Sequence, residues 1–166
     1  MGLGIADITD ERRVELDTPE DTSRLAAAVG ARLRAGDLLL LSGPIGAGKS
    51  HFARAVIQSR LASDGRPVED VPSPTFTLVQ TYALDGVEIW HADLYRLTHP
   101  DEVEELGLID AFDNAICLVE WPDRLGPLIP PQAIGLTFDV TGDTQRSLTL
   151  TGPATRLAAL LQEDQT

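Results

Sequence analysis

Only one lysine occurs in the 166 residues, and it stands in Gly43-Pro44-Ile45-Gly46-Ala47-Gly48-Lys49-Ser50. The segment fits the phosphate-loop pattern G-x-x-x-x-G-K-[ST] without a mismatch. Such a loop does its chemistry with backbone: closely spaced glycines let several N–H groups converge on a polyphosphate at a helix N-terminus. Gly43, Ile45, Gly46, Ala47, Gly48, Lys49, Ser50 and His51 are the residues expected to cradle it. The Lys49 ammonium would reach the β- and γ-phosphates, and the Ser50 hydroxyl would face Mg²⁺. The flanks are those the loop requires. Leu38-Leu39-Leu40-Leu41 is a continuous apolar run, as in a parallel strand buried on both faces. Residues 51–62 follow at helical spacing, with Phe52, Val56 and Leu61 turned inward. A nucleoside triphosphate is the ligand this arrangement predicts.

A phosphate loop also needs a carboxylate at the end of a neighbouring strand, to hold the metal or its waters. Glu120, closing Ile116-Cys117-Leu118-Val119, and Asp93, closing residues 87–92, both meet that description. Strand C-termini border the ligand crevice of an open α/β sheet, so both acids could converge on the phosphates. Ser73-Pro74-Thr75-Phe76-Thr77 lies between the loop's helix and the next strand, where hydroxyl-bearing switch segments of nucleotide hydrolases occur. Trp90 and His91, on alternate strand faces, read as packing; no second His or Cys stands at a spacing that would make His91 a metal ligand.

The elements that must position these groups are legible in outline. Residues 1–13 read as frayed, followed by a short strand at 14–16. Thr18-Pro19-Glu20-Asp21 opens a helix with a threonine cap, a first-turn proline and two acids that suit the helix dipole. Leu25, Ala28, Val29 and Leu33 give it an apolar face, and Gly36 is a plausible stop. Residues 76–84 and 87–94 form a hairpin about Asp85-Gly86. A short acidic helix spans 98–106, a buried strand 116–121, and a proline-punctuated connection 124–131. Residues 133–140 and 146–151 form a second hairpin, and Pro153 starts a terminal helix carrying Leu157, Leu160 and Leu161. The expected architecture is a single α/β domain of P-loop NTPase fold: a mostly parallel central sheet, flanking helices and β-hairpin additions.

Composition narrows the function. The net charge of -13, without any basic run, argues against a direct grip on nucleic acid or an anionic membrane, and leaves room for a basic protein partner. The single cysteine, Cys117, allows no internal disulfide and no thiolate cluster, and sits in an apolar run as a small core filler. The first ten residues lack the basic flank and apolar stretch of a signal peptide, and no run approaches the ~20 residues of a membrane span. A cytoplasmic location is the expectation.

Four segments occur in order: Gly46-Ala47-Gly48-Lys49-Ser50, residues 73–79 (SPTFTLV), residues 91–97 (HADLYRL) and residues 119–124 (VEWPDR). Together they resemble the TsaE family, bacterial ATPases of the tRNA threonylcarbamoyladenosine modification system. The resemblance implies an ATP- and Mg²⁺-dependent protein that assists transfer of a threonylcarbamoyl group to N6 of adenosine in tRNA. It implies TsaD and TsaB as partners, with tRNA met only indirectly through them. By the same resemblance Lys49 binds phosphate, Ser50 and Glu120 hold Mg²⁺, Asp93 organises the attacking water and Thr75 belongs to the switch loop. Ser73, Tyr95, Arg96 and Trp121 would shape the site or the partner face, Thr22 would lie near the nucleotide base, and Arg146 would close from the second hairpin. Two positions depart from the family pattern. Pro44-Ile45 stands where x-Leu is usual, and Ser50-His51 where Thr-Thr is common; serine keeps the metal-facing hydroxyl, while Pro44 removes one loop N–H. Two other classes open with the same loop, a small-molecule kinase and a nucleotide-gated binding module with negligible turnover. Kinases add an arginine-bearing lid, whereas here the arginines are scattered and residues 101–105 are acidic. No arginine adjoins the loop with an obvious finger role, so slow hydrolysis in isolation is expected.

Overall fold

The computed structural model describes residues 8–68, 70–74 and 77–162. Among the described residues, seven strands form one sheet. In chain order the elements are β1 (Thr9–Leu16), α1 (Pro19–Gly30), β2 (Leu38–Ser42), α2 (Lys49–Ser63), β3 (Val79–Ala83), β4 (Glu88–Asp93), α3 (Asp101–Glu105), α4 (Leu108–Asn114), β5 (Ile116–Glu120), a 3₁₀ segment (Pro122–Leu128), β6 (Ile134–Val140), β7 (Arg146–Pro153) and α5 (Ala154–Leu160). The sheet order is β1-β7-β6-β2-β5-β4-β3. β6, β2, β5 and β4 run parallel, while β3 and the β1–β7 pair are antiparallel additions at the two sides. The α/β fold with a largely parallel centre and appended hairpins is therefore the one the chain adopts.

The apolar runs are continuous because both sheet faces are covered. Leu39 and Leu41 of β2, with Ile116 and Leu118 of β5, pack beneath α1, α2 and α5. Leu38 and Leu40, with Cys117 and Val119, face α3, α4 and Leu125 on the other side. With period-two side chains, each of these strands needs apolar residues at every position. At the end of β2 remote from the phosphate loop, buried Asp37 accepts hydrogen bonds from Arg156 Nε at 3.0 Å and Nη2 at 2.5 Å, tying α5 to the base of the central strand.

Several boundaries differ from the sequence reading. β1 starts at Thr9, so residues 9–13 are not frayed but paired along β7; residues 1–7 lie outside the described residues. The strand alternates exposed and half-buried residues at the sheet edge, and its charged run concealed it. α1 is capped as expected, Thr18 Oγ1 accepting from Asp21 N at 3.2 Å and Asp21 Oδ2 from Thr18 N at 3.2 Å. It stops at Gly30, short of Gly36, and buries Thr22, Ala26 and Val29 while Ala28 is exposed. α4 escaped the reading altogether: seven residues are too few for a helical period to stand out. The 124–131 connection begins as 3₁₀ turns from Pro122.

At Gly43 the backbone has φ +137°, and a Cβ would lie 2.5 Å from the carbonyl oxygen of Phe138 in β6. The glycine-rich turn at 43–48 leaves β2 by passing against the next strand, and only glycine fits. Gly43→Ala should lower stability by roughly 2–3 kcal/mol, whereas Gly46→Ala, with open space around its Cβ, should cost about 1 kcal/mol. Urea midpoints at unchanged slope check both. A second expectation concerns Cys117. Burial pushes its thiol up to about 12, so iodoacetamide at pH 8 should leave the native chain unmodified and alkylate one thiol once urea has unfolded it.

Candidate functional site

β2, β4 and β5 end at one level because their parallel register sets Leu41 beside Glu120 and Asp93 beside Glu120. The chain leaving β2 turns through residues 43–48 into α2. Gly48, at φ +113°, makes the turn that starts the helix at Lys49. A cleft of about 490 Å³ opens over these strand ends. One wall is the loop and the head of α2: Ile45, Gly46, Gly48, Lys49, Ser50 and His51. The other is Asp93, Tyr95, Glu120 and Trp121, with exposed Ser73 at the rim.

Lys49 is buried at the head of α2. Its Nζ donates to the Gly43 carbonyl at 2.5 Å and stands 3.6 Å from the ring centroid of Trp121. The loop thus closes on its own lysine. Trp121 reaches that position because its backbone takes φ +59° at the end of β5, and Tyr95 packs on it with ring centroids 4.9 Å apart. Burial pushes the Lys49 ammonium below the ordinary lysine value, and the carboxylates of Glu120, Asp93 and Asp123 offset part of that.

Glu120 is 2% exposed and its carboxylate is held at both oxygens. Oε1 accepts from Ser50 Oγ at 2.8 Å, and Oε2 accepts from His91 Nε2 at 2.7 Å. Burial alone would raise its pKa; the His91 hydrogen bond and charge, the Ser50 hydrogen bond and the Lys49 charge outweigh burial and hold it below the usual glutamate value. With the folded value depressed, the stability this carboxylate contributes is present above the unfolded pKa and is lost as pH falls through the folded one. Asp93, also buried, accepts from Tyr95 N at 2.9 Å through Oδ1.

The donor set suits a small hard cation. A serine hydroxyl and a carboxylate oxygen lie 2.8 Å apart, with a second carboxylate on the adjacent strand. Among the described residues no group of three or more His, Cys, Asp or Glu could hold an ion unaided. Mg²⁺, which binds through one or two carboxylates together with water and phosphate oxygens, fits such a site; Ser50 and Glu120 would be its protein ligands.

Other residues singled out in the sequence fall around this centre. Arg146 Nη2 donates to the Gly46 carbonyl at 3.2 Å, and its Nη1 to the Gly142 and Gln145 carbonyls at 3.1 and 2.8 Å. An arginine therefore does adjoin the loop in space, supplied by the β6–β7 hairpin. His51 Nε2 lies 2.9 Å from Ser23 Oγ and 3.1 Å from the Pro19 carbonyl, so the head of α1 meets the head of α2. Thr22 is buried in α1 and Ala47 within the loop; neither lines the cleft, nor does exposed Arg96. Thr75 lies outside the described residues. The residue misread as packing is His91. Its signal was the His-x-Asp spacing, which puts positions 91 and 93 on one strand face, with Asp93 directly beside Glu120.

The profile of the family described as "Threonylcarbamoyl adenosine biosynthesis protein TsaE" matches residues 16–148. Among curated proteins, the tRNA threonylcarbamoyladenosine biosynthesis protein TsaE of Rickettsia felis is 35% identical over 131 residues, covering 79% of this chain and 74% of its own length. That of Bacillus subtilis is 33% identical over 147 residues, covering 87% and 88%. Among solved structures, that of Bacillus subtilis YdiB superposes with a TM-score of 0.71 at 25% identity, covering 95% of this chain and 96% of that one. With the match running from the end of β1 into β7, across both acids and the phosphate loop, the chain belongs to the TsaE family.

Proposed function

We propose that this chain binds ATP with Mg²⁺ in the cleft over residues 43–51 and hydrolyses it in support of threonylcarbamoyl modification of N6 of adenosine in tRNA. TsaD and TsaB are its proposed partners, and tRNA is reached only through them. The observation that carries the reading is the hydrogen bond from Ser50 to Glu120 beside Lys49, at the floor of the cleft. It joins the phosphate loop to a carboxylate from a separate strand, as metal-assisted phosphoryl chemistry requires. The names of the curated relatives support the tRNA modification.

The chain's own residues divide the work as follows. Backbone N–H groups of the loop and the head of α2 receive the phosphates. Lys49 exchanges the Gly43 carbonyl for phosphate oxygens, a short move for a side chain already within the cleft. Ser50 and Glu120 would hold the metal, which would supply positive charge to offset that of the phosphates. Asp93 orients the attacking water from the opposite wall. Arg146, committed to carbonyls, steadies the loop rather than facing the transferred phosphoryl group. Transition-state charge is then incompletely neutralised in the lone chain, so turnover should be slow and should rise with TsaB and TsaD present.

Three measurements test this. Turnover of the isolated chain against a mixture with TsaB and TsaD should show stimulation; an undiminished rate of many turnovers per second without them, or phosphate delivered to a metabolite instead of water, would point to an autonomous hydrolase or a kinase. Lys49→Ala should cut turnover by roughly 100-fold or more. The two acids should separate. Asp93→Ala should lower kcat by roughly 100-fold with ATP affinity nearly unchanged, and Glu120→Ala should lose the Mg²⁺-dependent part of the affinity. Metal dependence lost in Asp93→Ala alone would reverse the two roles.

A further inference from the structure

We infer that His91 is a positioning residue for the metal ligand Glu120, its Nε2–H fixing one carboxylate oxygen so that the other is presented to Ser50 and to a divalent cation. The inference rests on the ATP and Mg²⁺ reading given above and assigns a role to a residue outside that reading. His91 and Asp93 share one face of β4, and the β4–β5 register places Leu118 beside His91 and Glu120 beside Asp93. Both partners are closed off from solvent, at 1% and 2% exposure, so their 2.7 Å contact is shielded from competing water. A glutamate side chain at a strand end has three rotatable bonds. With Oε2 anchored, the remaining freedom is small, and Oε1 lies 2.8 Å from the Ser50 hydroxyl.

Among the described residues Glu120 is the hydrogen-bond partner of the imidazole. Its Nδ1 is buried without a hydrogen-bond partner among the described residues, so the ring's polar interaction is directed to Glu120. A phenyl or aliphatic group would fill the space without leaving that atom unsatisfied. A buried polar ring with one bond, made to a carboxylate aimed at a metal-facing hydroxyl, is the arrangement by which an outer residue sets the direction and basicity of a ligand. The sequence His91-Ala92-Asp93 then delivers two functions from one strand: a ligand orienter and, one pleat further on, the acid that faces the cleft.

The test separates orientation from packing by reading metal dependence instead of stability or rate. Affinity for ADP would be measured by calorimetry with EDTA and with saturating Mg²⁺, for the full chain and for His91→Leu, His91→Gln and Glu120→Gln. His91→Leu should reduce the Mg²⁺-dependent gain in affinity about 10-fold while the metal-free Kd stays within about twofold. His91→Gln, whose amide can still donate to Oε2, should recover most of the gain. A gain lost in Glu120→Gln but fully kept in His91→Leu overturns the positioning role and leaves the site reading standing. A wild-type chain with no Mg²⁺-dependent gain removes the site reading and the positioning role with it. The wild-type chain gives an independent readout should the leucine variant not fold. In ¹⁵N-labelled protein saturated with ADP, adding Mg²⁺ should shift the His91 Nε2 resonance. A resonance unmoved by the metal would overturn the inference.

Discussion

The constraint on which the site depends is the register of three parallel strands. Leu41, Glu120 and Asp93 lie side by side across β2, β5 and β4, so the loop departs from β2 at the level where both acids end their strands. Two cross-strand bonds lock that level: Leu94 N donates to the Glu120 carbonyl at 3.1 Å, and Trp121 N to the Leu41 carbonyl at 3.3 Å. A slip of one residue between β4 and β5 would turn Asp93 and His91 to the α3–α4 side of the sheet and leave the Glu120 carboxylate buried without its imidazole. Core packing enforces the register, because the same slip would exchange the two sets of apolar side chains that face different helices.

Electrostatics are managed locally. The chain carries a net charge of -13, which opposes the approach of any polyphosphate. In the proposed nucleotide complex that opposition would be answered within the cleft by backbone N–H groups and one ammonium, with Mg²⁺ at Ser50 and Glu120, each at short range where screening matters little. Lys49 serves a second purpose in the ligand-free chain. Its charge adds to the His91 and Ser50 hydrogen bonds that hold the buried Glu120 carboxylate below its usual value. The lysine, the two acids, His91 and Ser50 thus form one balanced cluster, and changing one member alters the charge balance of the others.

Much of this was legible from residue order. The turn from β2 into α2 announced itself through glycine spacing around a lone lysine, and the hairpin at Asp85-Gly86 and the apolar runs of β2 and β5 through composition. The two acids followed from their position at strand ends. What escaped did so for physical reasons. β1 is an edge strand whose charged residues face solvent, so nothing in Asp10-Glu11-Arg12-Arg13 signals extended structure. α4 is stabilised by burying Leu108, Ala111 and Phe112, a tertiary gain with little local signature. The contact of Arg146 with Gly46, and of His91 with Glu120, joins residues far apart in sequence, and pairing of that kind is decided by sheet order, which local pattern does not encode.

The placement of β1 has a consequence for how the chain assembles as it is made. β1 leaves the ribosome before every other element described, yet among the described residues its one neighbour in the sheet is β7, the last strand described. Every element of the cleft from β2 to β5 emerges while β1 still has no partner, and Phe138, against which Gly43 is fitted, arrives later still. The nascent chain therefore carries an unpaired strand and an unsupported loop until β6 and β7 have been made. Pairing across so long a separation is slow to find. The mixed charges of β1 suit that wait, since a charged, solvated segment resists the edge-to-edge association that an apolar one would invite.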